Sequence, residues 1–126
     1  MIDHFGINCS DIAAAKQFYD TTLATLGFSR QMEHGDFVGY GRDGRPDFWI
    51  GTFEGVGPNR ENHIAFQAED AAHVRAFFDA ATGLGAEVLH EPRMWPEYHP
   101  HYYGAFVRDP DGNNVEAVCH TASEGD

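Results

Sequence analysis

Two stretches of the chain follow the same plan: HFGINCSDIAAAKQFYDTTLATLGF (residues 4–28) and HIAFQAEDAAHVRAFFDAATGLGAE (residues 63–87). At a constant offset of 59 residues they share identical residues, pairing His4 with His63, Asp11 with Asp70, Ala13 with Ala72, Phe18 with Phe77 and Asp20 with Asp79. Self-similarity at a fixed offset is the sequence signature of a structural repeat. The match predicts that the chain contains two copies of one unit.

Each copy begins as a strand and continues as a helix. Apolar and polar residues alternate over residues 5–9, which is the period of a strand. Ser10 or Asp11 is then in a position to cap a helix, and Gly27 is in the usual place to end it. The second copy repeats this pattern, with a helix that starts near Asp70.

Strand and turn sequence follows each helix. The segment DFVGYGRDGRPDFWIGTF (residues 36–53) is typical of a hairpin with an Asp-Gly turn, and AFVRDPDGNNVEAVC (residues 105–119) has the same character. The sequence therefore predicts an α+β fold of two tandem βαβββ modules. We expect a single domain over residues 1–126, with module one at about 3–55, module two at about 62–120 and a loose tail at 121–126.

Composition restricts the partners of the protein. The chain has 126 residues, and its 8 basic and 20 acidic residues give a formal net charge of −12. Such a charge is repelled by phosphate backbones and anionic lipid, so we expect no nucleic acid and no membrane as partner, but a small-molecule substrate. The only cysteines, Cys9 and Cys119, do not form a metal-binding pair, and a reducing cytoplasm is the expected location.

The strand alternation predicts which side chains face away from the helices. His4 and Asn8 take that face in the first strand, His63 and Gln67 take it in the repeat, and Glu116 takes it in the last strand. Two imidazoles and one carboxylate with open coordination positions form a facial triad that binds Fe(II), Mn(II) or similar ions, and zinc accepts the same donors. Asn8 and Gln67 are candidate substrate-binding residues on the same face.

A long irregular stretch, residues 90–103, is too rich in proline for one helix and unusually aromatic for a surface loop. One interpretation is that it closes over the site and supplies Tyr103 and His101 as acid or base and His99 as a substrate anchor. The alternative is that its aromatic residues fasten the loop to the core or to a partner chain. Trp49 is a candidate wall for a planar or apolar ligand, or a core residue.

Three segments together resemble the vicinal-oxygen-chelate superfamily: the opening residues 4–28, the strand NHIAFQAED (residues 62–70) and the ending AFVRDPDGNNVEAV (residues 105–118). That superfamily includes glyoxalase I, extradiol dioxygenases, fosfomycin-resistance thiol transferases and bleomycin-binding proteins. The resemblance implies mixed sheets that wrap a central cleft, with the helices outside. It also implies one divalent metal ion (Fe, Mn, Zn or Ni) and a homodimer. The ligands it implies are His4, His63 and Glu116.

Two departures from the family pattern bear on the activity. Glyoxalase I usually takes a fourth ligand from the last strand of its first module, where this chain has Trp49. The extradiol enzymes carry a tyrosine ten residues before the ligand glutamate, where this chain has Phe106. We therefore predict a metal-dependent enzyme for a small oxygen-chelating substrate, with lyase, isomerase or dioxygenase chemistry. The alternatives are a small-molecule or antibiotic sequestration protein and a fosfomycin-type thiol transferase.

Overall fold

The computed structural model describes residues 1–52 and 57–126 and confirms the repeated βαβββ plan. The elements run in the order β1 (Phe5–Asn8), α1 (Ile12–Ala24), β2 (Ser29–His34), β3 (Phe37–Arg42), β4 (Arg45–Gly51), β5 (His63–Gln67), α2 (Ala71–Gly83), β6 (Val88–Met94), β7 (Tyr103–Arg108) and β8 (Asn114–Cys119).

Each module forms its own four-stranded mixed sheet. The strand order is β1-β4-β3-β2 in the first sheet and β5-β8-β7-β6 in the second. The strand before each helix pairs in parallel with the last strand of its module, while the other strands pair as antiparallel neighbours. The predicted α+β class is confirmed, and β1 and β5 each lie at an edge of their sheet.

The two helices begin in the same way. The carboxylates of Asp11 and Asp70 accept the amide hydrogens of Ala14 and His73, which satisfies one free donor at each helix start. Asp11, and not Ser10, is therefore the cap of α1. Each helix has 13 residues, and no helix within residues 1–52 and 57–126 is long and apolar enough to cross a membrane.

One hydrophobic core joins the two modules. Ring centroids of Tyr19 and Phe48 lie 5.0 Å apart within the first module, and those of Phe48 and Phe66 lie 5.1 Å apart across the modules. Both contacts are edge-to-face, which is a favourable geometry for aromatic pairs. Cys9 and Cys119 are buried and free, as packing residues on the helix side of their strands.

A buried polar contact also crosses between the modules. The Tyr19 hydroxyl donates to Oδ2 of Asp109 over 2.6 Å, and neither residue is more than 6% exposed. Asp109 also accepts the side-chain amide of Asn113 and the backbone amides of Asp111 and Asn113. The Asp109 carboxylate therefore organises the DPDGN turn, and Tyr19 of the first module supplies one of the four hydrogen bonds that it accepts.

Three of the last six residues, Ala122, Ser123 and Asp126, make specific hydrogen bonds. Ala122 is only 2% exposed, and its amide donates to the carbonyl of His101. The Arg75 guanidinium donates to the carbonyl of Asp126 over 2.8 Å. These contacts hold the tail against α2 and the loop before β7, which sequence composition does not reveal.

We expect Tyr19→Phe to lower the free energy of unfolding by about 1–3 kcal/mol, because Asp109 loses a donor in a buried position. Tyr40→Phe is the matched control: Tyr40 is equally buried, but its hydroxyl donates to Asp20, which is partly exposed and is also bound by Arg30. Urea denaturation of both variants measures the difference. Equal losses in the two variants would contradict a special role for the contact between modules.

Candidate functional site

Glu116 is the centre of the candidate site. It lies in the middle of β8, between Ala65 of β5 and Phe106 of β7, and it is 1% exposed. A Cβ atom at Gly104 would lie 3.0 Å from Oε2 of Glu116 and 3.2 Å from the Tyr102 ring. The glycine therefore leaves the space in which the glutamate and the tyrosine meet.

Two side chains bind the Glu116 carboxylate. The Tyr102 hydroxyl donates to Oε2 in a short hydrogen bond, and Nε2 of His63 lies 3.0 Å from Oε1. Burial raises the pKa of Glu116, and the contacts with Tyr102 and His63 only partly oppose that effect. The carboxylate is thus a buried anion with incomplete compensation from the protein.

His63 presents a lone pair to this carboxylate. Its Nδ1 lies 3.1 Å from the carbonyl oxygen of Asn114, which can only accept, so Nδ1 carries the ring proton. In the neutral ring Nε2 is then an acceptor that faces another acceptor, Oε1 of Glu116, and the pair requires a proton or a cation. Metal–nitrogen and metal–oxygen bonds are about 2.0–2.2 Å, so two adjacent ligands lie about 3 Å apart, as these atoms do. The donor chemistry of the pair fits a divalent ion.

His4 has the same tautomer as His63 but lies in a different environment. Its Nδ1 donates to the Asp3 carboxylate over 2.8 Å, which lowers the pKa of Asp3 and leaves Nε2 as a lone pair. Both side chains are well exposed, at 61% and 87%. Within residues 1–52 and 57–126, no group of three His, Cys, Asp or Glu side chains is placed to hold one ion. The structure brings together His63 and Glu116, but not His4.

An aromatic cover shields Glu116 from one side. It consists of four rings on β7 and the loop before it: Trp95, Tyr98, Tyr102 and Phe106. Phe106 stacks on His63 at 5.9 Å between centroids and contacts Trp95 at 5.2 Å. The Trp95 indole is fixed by donating to the carbonyl of Gly104. His63 is half exposed, so the open approach to the pair lies on its side.

The structure places Tyr103 on the other face of the sheet. Its hydroxyl lies 3.4 Å from the Arg75 guanidinium on α2, and its register partner is the helix-facing Cys119. Its neighbour Tyr102 is the residue that contacts Glu116. Residues 102, 104 and 106 alternate onto the sheet face that carries Glu116, so the strand pattern indicates Tyr102 and not Tyr103. The irregular loop before β7 obscured this pattern in the sequence, because it hid where the strand begins.

The two histidines predicted from the loop hold the loop in place. His101 donates from Nδ1 to the carbonyl of Ala122 over 2.9 Å. His99 accepts the His101 amide at Nδ1, so its Nε2 carries the proton and donates to Nδ1 of His120 over 2.8 Å. His99 therefore has the opposite tautomer from His63 and presents no lone pair for a metal.

The other predicted binding residues are dispersed. The Trp49 ring is half-buried over Gly39 of the neighbouring strand, where it leaves room for no larger side chain. Asn8 lines a small cavity, and Gln67 lines a separate and larger one. The side chains that bind the Glu116 carboxylate are those of Tyr102 and His63.

Comparison with known proteins assigns the family. The model of the Glyoxalase/Bleomycin resistance protein/Dioxygenase superfamily matches residues 1–117. The chain belongs to this superfamily. No protein of curated function matches the chain.

Solved structures of the superfamily share this fold. A glyoxalase/bleomycin resistance protein from Albidiferax ferrireducens T118 is 28% identical, with a TM-score of 0.81, over 92% of this chain and 96% of that one. A lactoylglutathione lyase from Agrobacterium tumefaciens is 22% identical, with a TM-score of 0.67, over 94% and 92% of the two chains. A glyoxalase/dioxygenase from Nostoc punctiforme is 19% identical, with a TM-score of 0.69, over 95% and 90%. The last two show the fold alone.

In the metal-free protein we expect Glu116→Gln to increase stability at neutral pH. The amide still accepts from Tyr102 and can donate to His63, but it carries no buried charge. Because folding raises the pKa of Glu116 above its ordinary value of 4.5, the wild type loses stability as pH rises through the folded pKa. The advantage of the variant should therefore grow between about pH 5 and about pH 8.

Urea denaturation in EDTA at both pH values measures this advantage. Glu69→Gln, at an exposed glutamate, makes the same chemical change and should show no growth of this kind. A Glu116→Gln variant that is less stable than the wild type at the higher pH would contradict the expectation.

Proposed function

We propose that the protein is a metal-dependent enzyme of the glyoxalase/dioxygenase type, acting on a small molecule that chelates the ion through neighbouring oxygens. The observation that supports this most is the contact of His63 with Glu116. A buried carboxylate with a raised pKa faces an imidazole lone pair, at the separation of two metal ligands. Membership of the superfamily supports the same assignment.

One divalent ion, Fe, Mn, Zn or Ni, would be held by Nε2 of His63 and Oε1 of Glu116. Nε2 of His4 would complete the ligand set only after a movement that brings it to this pair. When bound, such an ion supplies a Lewis acid that polarises an oxygen of the substrate. The tautomers of His4 and His63 suit this role, because the other ring nitrogen of each donates to Asp3 or to the Asn114 carbonyl.

The remaining residues of the site have supporting roles. Tyr102 binds Oε2 of Glu116 and so directs Oε1 toward His63. Trp95 and Phe106 keep water away from the covered side of the carboxylate. Lyase or isomerase chemistry and dioxygenase chemistry both suit this frame. We also propose that the protein is a homodimer and that it is located in the cytoplasm.

Metal content tests the proposal. We expect the wild type, supplied with Mn, Fe(II), Zn or Ni and then desalted, to retain about one ion per chain. His63→Ala should weaken binding at least about tenfold, since an inner ligand matters at least as much as the residues that orient it. His4→Ala should also weaken binding. Plasma mass spectrometry of the desalted proteins measures the ions retained.

The matched control is His73→Ala. His73 also contacts a carboxylate, with Nδ1 2.7 Å from Asp70, but this pair only supports the start of α2. Its removal should leave the metal content unchanged. Equal metal content in the wild type and His63→Ala would overturn the proposal. A small ligand that stabilises the wild type in EDTA but no longer stabilises His63→Ala would favour the sequestration alternative.

A further inference from the structure

A groove runs along the free edge of β5, between that strand and the first module. It consists of three neighbouring cavities of about 370, 100 and 440 Å³. The first two share Phe48 and Phe66, and the last two share Phe28. β5 is an edge strand of its sheet. We call the surface formed by these three neighbouring cavities the β5 groove.

The middle of the β5 groove and its 370 Å³ end are mainly apolar, with Asp47 as a lining carboxylate of both, whereas the 440 Å³ end is more polar. The aromatic rings of Phe28, Phe48 and Phe66 line the narrow central cavity. The end with the 370 Å³ cavity reaches His63. The end with the 440 Å³ cavity is lined by Arg42, Gln67 and His120, among others. The groove therefore offers apolar surface beside a cluster of hydrogen-bond donors.

Arg42 is the notable side chain at the wide end. Its Nη2 donates to the carbonyl of Leu26 over 3.0 Å, and its guanidinium lies 4.4 Å from the centre of the Phe28 ring. One N–H of five is used in that bond. Within residues 1–52 and 57–126, Arg42 forms no ion pair, whereas Arg30, Arg45, Arg93 and Arg108 each bind a carboxylate.

The protein has 20 acidic and 8 basic residues. Four of the eight basic residues form an ion pair with a carboxylate in the part of the chain that the structure describes. Arg42 is held instead by a carbonyl and an aromatic face, which orient the guanidinium but do not neutralise it. An arginine oriented in this way at the end of an apolar groove is suited to a ligand carboxylate.

We propose that the β5 groove binds a small carboxylate with an apolar body. The carboxylate lies at Arg42, with Gln67 as a further donor, and the body lies against Phe28 and Phe66. The strand from His63 to Gln67 rises about 13 Å, which suits a ligand of the size of an arylalkanoate. The proposal does not depend on a metal.

Glu69 gives the proposal a second, opposite test. It is the one carboxylate among the residues of the wide cavity, and its side chain is exposed. A bound carboxylate is repelled by Glu69 and attracted by Arg42. Removing the negative charge should therefore strengthen binding, while removing the positive charge should weaken it.

The experiment is a calorimetric titration in EDTA, at low salt, with 4-phenylbutyrate as the probe. We expect wild-type protein to bind the probe and Arg42→Gln to bind it about tenfold more weakly, because the variant loses one charge-assisted hydrogen bond to the ligand. Arg42→Lys should retain part of the affinity. Glu69→Gln should bind about two to three times more tightly, as expected for a screened charge near the surface.

The matched control is Arg93→Gln. Its removal changes the net charge equally, but Arg93 lies on β6, pairs with Glu97 and lines none of the three cavities. Its affinity should stay within about twofold of the wild type. The neutral 4-phenylbutanamide should bind the wild type more weakly than the acid does.

Three results would overturn the proposal: no binding of 4-phenylbutyrate to the wild type at millimolar concentration, equal binding of the acid and the amide, or equal losses in Arg42→Gln and Arg93→Gln. Thermal melts of all variants show that each is folded at the temperature of the titration. If Arg42→Gln does not fold, Arg42→Lys and Glu69→Gln still decide when Glu91→Gln, an exposed position on β6 outside the groove, is measured beside them. A general electrostatic effect predicts the same gain for both glutamate variants, whereas the proposal predicts a gain for Glu69→Gln alone.

Discussion

Asp109 lies in a tight turn of the second module, yet one of its oxygens accepts the hydroxyl of Tyr19 from the first. Three further donors from the turn itself complete its shell. A buried carboxylate is tolerated only when hydrogen bonds replace its water, so the turn and the helix of the other module depend on each other. This contact ties the position of β8, and with it that of Glu116, to the packing of α1.

The buried carboxylate of Glu116 accepts fewer hydrogen bonds than that of Asp109. Asp109 has four donors, while Glu116 has the hydroxyl of Tyr102 and an imidazole nitrogen that faces it with a lone pair in the neutral ring. Burial therefore raises the pKa of Glu116. The two buried carboxylates differ in function for this reason: one is satisfied by the fold, and the other requires a proton or a cation.

Hydrogen-bond partners separate the histidines into two kinds. Those whose Nδ1 faces a carbonyl or carboxylate, such as His4 and His63, keep Nε2 available as a donor to metal. His99, whose Nδ1 faces a backbone amide, uses Nε2 to hold His120 and the loop. The chain is rich in histidine, and the partner of Nδ1 leaves Nε2 available in several rings. His63 suits an ion because its Nε2 also lies beside a buried carboxylate, that of Glu116.

The sequence by itself determined the two βαβββ modules, because the periods of two and 3.6 residues and the caps Asp11 and Asp70 are local features. It also determined that His63 and Glu116 share one face. The tertiary structure alone decided that Tyr102 and not Tyr103 meets Glu116, and that Arg42 lies at the β5 groove. Those contacts join segments distant in sequence or depend on the start of a strand after an irregular loop, and no local pattern encodes them.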